Sequence, residues 1–174
     1  MLIALIGLPG SGKSTVGRQL ARRLQVPLLD SDQVIEQQLG CSIREYFEQE
    51  GEDRFRSVEE AVIDQLTQNE AAVLSTGGGA ILRVANREHL RNRCWVVYLK
   101  STPDELFRRL RHDDKRPMLR VADPLSRLHD LHTQREPLYQ ETAHFMVETG
   151  RPTFASLVNT IMMQLELTGL VPPS

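Results

Sequence analysis

The segment Gly7-Leu8-Pro9-Gly10-Ser11-Gly12-Lys13-Ser14-Thr15 sets glycines, a lysine and paired hydroxyls in the spacing GxxxxGK[ST], immediately after the apolar run Leu2–Ile6. Glycines in such a turn let successive backbone N–H groups point inward at phosphate oxygens, and a helix opening behind the turn adds the positive end of its dipole. Gly10, Ser11, Gly12, Lys13, Ser14 and Thr15 are therefore the expected triphosphate-binding set, with Lys13 reaching the β- and γ-phosphates. Ser14 offers a hydroxyl to Mg²⁺.

Two further segments carry chemistry. Asp30-Ser31-Asp32 puts two carboxylates two residues apart at the end of a second apolar run. Asp30 suits the metal side of a crevice, acting through water, and Asp32 suits the hydroxyl that attacks the γ-phosphate. The plainer alternative is that Ser31 or Asp32 caps the helix containing Val34 and Ile35. Ser75-Thr76-Gly77-Gly78-Gly79 ends a third run; Gly77, Gly78 and Gly79 strip side chains from the turn so that a ligand or neighbouring backbone can come close. A plain flexible turn is the alternative.

The arginines are placed selectively. Leu128, Leu131, Arg135 and Leu138 share one helical face, so Arg135 interrupts an apolar stripe. Arg56 adjoins the inward face of Phe55, Val58 and Val62, with Glu59 three residues on to brace it. Two inward arginines near an aspartate suit a substrate bearing both a carboxylate and hydroxyls. The charged, Pro-broken stretch from His112 to Arg120 reads as a mobile lid, over about 111–123, from which Arg116 swings onto the transferring phosphoryl group. Lys13, Asp32 and Arg116 are thus the expected catalytic residues. The histidines form no metal-ligand spacing with these segments.

These residues need elements to hold them. The apolar runs Leu2–Ile6, Val26–Leu29, Ala72–Leu74, Trp95–Leu99 and Phe145–Val147 read as strands, with helical spacing between them, as at Val16, Leu20, Ala21 and Leu24. That alternation predicts a parallel α/β sheet with helices on both faces. Thr102-Pro103-Asp104-Glu105 marks a helix start by capping box and Pro at the first helical position, and a last helix runs from about Phe154 to Leu167.

A chain of 174 residues, 40% hydrophobic, is one domain's worth of core. Its net charge of −2, mixed along the chain, leaves no single-sign block for nucleic acid or an anionic membrane. Cys41 and Cys94 lie far apart, Met1–Ile6 has no basic leader, and no apolar run is long enough to span a bilayer, so a cytoplasmic protein is expected. A monomer is the simplest assembly.

The ordered set GLPGSGKST at 7–15, LLDSD at 28–32, Phe55-Arg56 with Glu59, TGGG at 76–79, KRP at 115–117 and R.PLY at 135–139 resembles the shikimate kinase family over nearly the whole chain. The resemblance implies a three-layer αβα P-loop NTPase fold of the nucleoside-monophosphate-kinase type, with a five-stranded parallel sheet. It implies ATP-dependent phosphorylation of the 3-hydroxyl of shikimate, on the route to chorismate and the aromatic amino acids. By the same resemblance Asp32, Arg56, Gly78 and Arg135 contact shikimate, the two arginines on its carboxylate, while Ser14 and Asp30 serve Mg²⁺. Arg116 becomes the lid arginine on the phosphates, and Arg109 and Arg151-Pro152 fall where the family holds adenine.

Other readings compete. A gluconate or other sugar-acid kinase shares the P-loop and a similar size, and Arg56, Arg135 and the glycine turn favour shikimate by resemblance. A nucleotide-dependent switch of the GTPase kind would carry an NKxD-like guanine-reading sequence, and none is present. A degenerate P-loop binding module would have lost chemistry, yet Lys13, Ser14, Asp30, Asp32 and Arg116 are all in place.

Overall fold

The computed structural model describes residues 1–111, 122–150 and 153–174. The expected lid, with Arg116, and the Arg151-Pro152 pair lie outside the described residues, apart from the lid's edges.

Strands β1 (Leu2–Ile6), β2 (Leu28–Asp30), β3 (Ala72–Ser75), β4 (Trp95–Lys100) and β5 (Phe145–Glu148) form one sheet in the order β2-β3-β1-β4-β5. Every pairing is parallel, with Leu5 opposite both Ser75 and Val97. β1 is apolar throughout because both of its faces are covered. Leu2, Ala4 and Ile6 enter one core, and Ile3 and Leu5 enter the other, as the twofold alternation of a strand requires. The second core is closed by α1 (Lys13–Leu24) and α8 (Phe154–Leu167). The first is closed by α2 (Ser31–Leu39), α4 (Glu52–Leu66), α5 (Val84–Arg93), α6 (Pro103–Leu110) and α7 (Pro124–Thr142). Each fully buried Leu, Ile or Val here contributes about 1.5–3 kcal/mol of transfer free energy.

The expected second strand begins two residues late. Gln25 takes a left-handed turn at φ 56, and the Val26 N–H returns to the Ala21 carbonyl, so Val26 belongs to the exit of α1. Strands β2 to β5 also run past their apolar stretches, because ladder hydrogen bonds are made by backbone and tolerate polar side chains at the carboxyl ends. A short helix, α3 (Ile43–Glu50), was not marked by helical spacing; the Ser42 hydroxyl accepts from the Glu45 N–H, and Gly51 closes it at φ 85. Its signal was the Ser-x-x-Glu start.

The chain runs from central β1 out to β2 and β3 on one side, then to β4 and β5 on the other. Loops leaving the carboxyl ends around β1 therefore diverge and open a crevice, the usual ligand position in such sheets. Among the described residues no helix is long and apolar enough to cross a membrane.

Candidate active site

Two cavities sit side by side in that crevice. The first, about 300 Å³, is bounded by the loop after β1 and by Asp30, Thr76 and Arg109. The second, about 550 Å³, is bounded by Arg56, Arg127, Arg135 and the aromatic side chains of Phe47 and Phe55. Pro9, Asp32, Gly77 and Gly78 line both.

In the first cavity the expected loop residues behave individually. Gly12 has φ 97, and a Cβ there would stand 2.5 Å from the Phe154 ring, so both backbone and space require glycine. Lys13 is buried; its Nζ donates to the carbonyls of Gly7 (2.7 Å) and Leu8 (3.0 Å), which holds the ammonium against the loop. Gly10, Ser14 and Thr15 line the cavity. Ser11 differs from expectation: its side chain is fully buried beneath the loop, and its N–H donates to the Leu8 carbonyl. Arg109 donates to the carbonyls of Gly10 and Thr149, both at 3.1 Å, and its guanidinium lies 5.6 Å from the centre of the Phe154 ring. The Glu105 carboxylate accepts from the Thr149 hydroxyl at 3.0 Å. Glu105 thus serves this corner as well as the start of α6, where the Thr102 cap accepts its N–H. Phe154 escaped the sequence reading because nothing in a helix-opening Phe signals a ligand wall.

The carboxylates divide their work. The α2 cap is Asp30, and not Ser31 or Asp32: its Oδ1 accepts from the N–H groups of Asp32 (3.0 Å) and Gln33 (3.3 Å). Its Oδ2 stands 3.5 Å from the Ser14 hydroxyl. Ser31 is buried and accepts the Gly77 N–H at 3.1 Å, tying the two loaded strand ends together. Asp32 is left to face the boundary between the cavities. Burial, with the neighbouring carboxylates of Asp30 and Glu59, pushes Asp32 up from 3.8 to about 6, against a downward pull from Lys13. It remains ionised at neutral pH yet is a stronger proton acceptor than an ordinary aspartate.

The glycine turn has a definite cause. A Cβ on Gly77 would stand 2.6 Å from an Asp32 oxygen, on Gly78 2.6 Å from Pro9, and on Gly79 2.6 Å from Cζ of Arg56. Each missing side chain makes room for a different site residue, so the turn is a packing requirement and not a flexible connection. In the second cavity Arg56 donates to Glu59 at 2.8 Å, with side chains 13% and 1% exposed, which excludes a solvated surface pair. Phe47 and Phe55 flank the guanidinium at 5.9 and 5.2 Å. Burial pushes the Glu59 carboxyl up, opposed by Arg56, and Glu59 Oε2 has no hydrogen-bond partner among the described residues. Arg135 lines the same cavity, one turn before Tyr139, whose hydroxyl donates to the Gly78 carbonyl. Phe47 and Phe55 were missed as lining residues, since an aromatic at helical spacing reads as ordinary core, and Arg127 because an exposed helical arginine carries no sign of a cavity.

Ser14 and Asp30 bring two hard oxygen donors to the phosphate side of the first cavity, and among the described residues no cluster of three or more His, Cys, Asp or Glu forms a metal cage. That sparse donor set fits Mg²⁺, which keeps several waters and is held largely by substrate phosphates.

The comparisons with known proteins agree with this geometry. The shikimate kinase family model matches residues 9–166. A shikimate kinase of Paracidovorax citrulli is 56% identical over 99% of this chain and 96% of its own length. That of Ralstonia nicotianae is 50% identical over 98% and 90%. Among solved structures, a shikimate kinase from Acinetobacter baumannii in complex with shikimate superposes with a TM-score of 0.90 at 44% identity, covering 97% of this chain and 93% of that one. With the match spanning phosphate cradle, glycine turn and both arginine helices, the chain belongs to the shikimate kinase family.

Proposed function

We propose that the chain transfers the γ-phosphoryl group of ATP to the 3-hydroxyl of shikimate. The observation that carries this reading is the shared wall: one cavity built for phosphates and one lined by half-buried arginines meet at a single carboxylate, Asp32. A phosphoryl donor and a carboxylate-bearing acceptor can occupy the two sides together, with the accepting hydroxyl at Asp32.

In this reading Gly10, Gly12, Lys13 and Thr15 cradle the triphosphate, and Arg109 with Phe154 borders the base. Arg56 and Arg135 grip the acceptor carboxylate, which fixes the ring so that one hydroxyl faces Asp32. Gly77, Gly78 and Gly79 keep that approach open. Asp32 accepts the hydroxyl proton, aided by its raised proton affinity. Lys13 offsets the charge that builds on the transferring group. Mg²⁺ would be held by Ser14 and by Asp30 through water, where it neutralises charge on the phosphate oxygens. Arg116, outside the described residues, is assigned to the same phosphates by the family pattern Lys115-Arg116-Pro117, and the whole chain acts as a single catalytic domain.

A coupled ADP-release assay with Mg-ATP tests this against shikimate, gluconate and no acceptor. Release with shikimate alone is expected. Release with gluconate would reassign the acceptor, and equal release without acceptor would reduce the site to an ATPase.

A further inference from the structure

Glu136, on α7, is only 15% exposed yet collects four polar neighbours. The Tyr98 hydroxyl donates to it, Lys100 Nζ lies 3.2 Å away, Gln140 donates at 2.9 Å and His132 Nε2 stands at 3.5 Å. Tyr98 and Lys100 project from the same face of β4, next to the strand that feeds the phosphate loop. Burial pushes the Glu136 carboxyl up, but the bonds from Tyr98 and Lys100 outweigh it and hold the group below the ordinary glutamate range. An ionised carboxylate wedged between strand and helix is a directional lock, because each donor fixes the position of one oxygen.

The neighbouring residue in sequence is Arg135, and the same turn carries Tyr139. The Tyr139 ring stacks on Tyr98 at 4.9 Å, and its hydroxyl holds the Gly78 carbonyl. A rotation or slide of α7 on β4 would break the Glu136 bonds to Tyr98 and Lys100, leaving those to His132 and Gln140 within α7 intact, and would move Arg135 and Gly78 together. We propose that Glu136 is a positioning residue for the acid substrate: locked to β4 by Tyr98 and Lys100, it sets the rotation of α7 and so aims Arg135 into the acid cavity. This inference rests on the carboxylate-clamp reading of Arg135.

The test is a double-mutant cycle in the whole enzyme, with KM measured for shikimate and ATP separately. Tyr98→Phe removes the hydroxyl and keeps the stacked ring; Glu136→Gln keeps the shape and removes the charge, and serves if the first variant folds poorly. Each is expected to raise KM for shikimate about tenfold and to leave KM for ATP within about twofold, since small misplacements of a binding group act on the ligand it grips. In an Arg135→Ala background the same substitutions should have no further effect on shikimate. Equal rises for both substrates, an unchanged shikimate KM, or the same fold-change with Arg135 absent would each overturn the proposal. Failure of the clamp itself reads differently: Arg135→Ala alone would then leave shikimate KM unchanged.

Discussion

The phosphate cradle comes from one contiguous segment, Gly7–Thr15, and acts largely through backbone; the acid cavity is assembled from side chains on α3, α4 and α7 set against the glycine turn. In the cradle the backbone turn itself demands glycine, as at Gly12 with φ 97, with the Phe154 ring closing the space beside it. In the acid cavity every grip is set by a neighbour: Arg56 by Glu59 and two phenylalanine rings, Gly79 by the space Arg56 occupies. Under the proposed function, ATP binding and acid recognition therefore have separate structural supports and should fail separately. Asp32, lining both cavities, is the exception: its loss should spare ATP binding and strike the transfer between them.

The largest effect is expected there. Asp32→Asn should retain ATP binding by calorimetry and lose roughly 10²–10⁴ in turnover, the usual contribution of a placed acid–base group. Near-normal turnover would remove Asp32 from catalysis. In the unmodified enzyme, turnover should fall as pH drops through about 6, where the carboxylate takes up a proton.

Next, Arg135→Ala should raise KM for shikimate about 10²-fold while KM for ATP moves little, as loss of a charge-assisted fork implies. Equal loss for both would mean general damage and erase the distinction between the two cavities.

A paired glycine experiment sharpens the comparison at a smaller scale. Gly79→Ala should displace Arg56 and raise shikimate KM about tenfold. Gly12→Ala, which meets both positive φ and the Phe154 ring, should weaken ATP instead. Swapped outcomes in steady-state kinetics would break the division.

The smallest effect concerns stability. Because burial raises its pKa, ionised Asp32 disfavours the folded state. Its favourable contribution, complete below about 3.8, is lost as pH rises through about 6. Asp32→Asn should therefore stabilise the fold by about 2 kcal/mol at pH 8, where the buried charge is fully developed but still partly solvated, and by nothing near pH 3.5. Denaturant melts at both pH values check this, and equal increments would point to a cause other than charge.

Legibility in the sequence followed the same division. The cradle, the Arg56–Glu59 brace and Arg135 on its apolar stripe could be read because each is a short-range pattern: a turn motif, an i to i+3 pair, a helical face. The α2 cap fell to Asp30, which neither reading of the segment had named for it, since Asp30, Ser31 and Asp32 all have cap-competent side chains and only their directions decide which one bends back. Phe47, Phe154 and Arg127 gave no signal, because lining a cavity is a relation between elements. For Arg116 and Arg151 the family pattern remains the support, as both lie outside the described residues.

The sequence by itself determined the strand–helix alternation, the phosphate loop and the kind of acid the arginines would suit, since period, turn chemistry and charge are properties of neighbouring residues. Only the tertiary structure decided that Asp32 stands where two cavities meet, that each glycine of the turn yields space to a different side chain, and that Glu136 ties α7 to β4. Those facts depend on contacts between segments tens of residues apart, whose positions are fixed by close packing of the whole core.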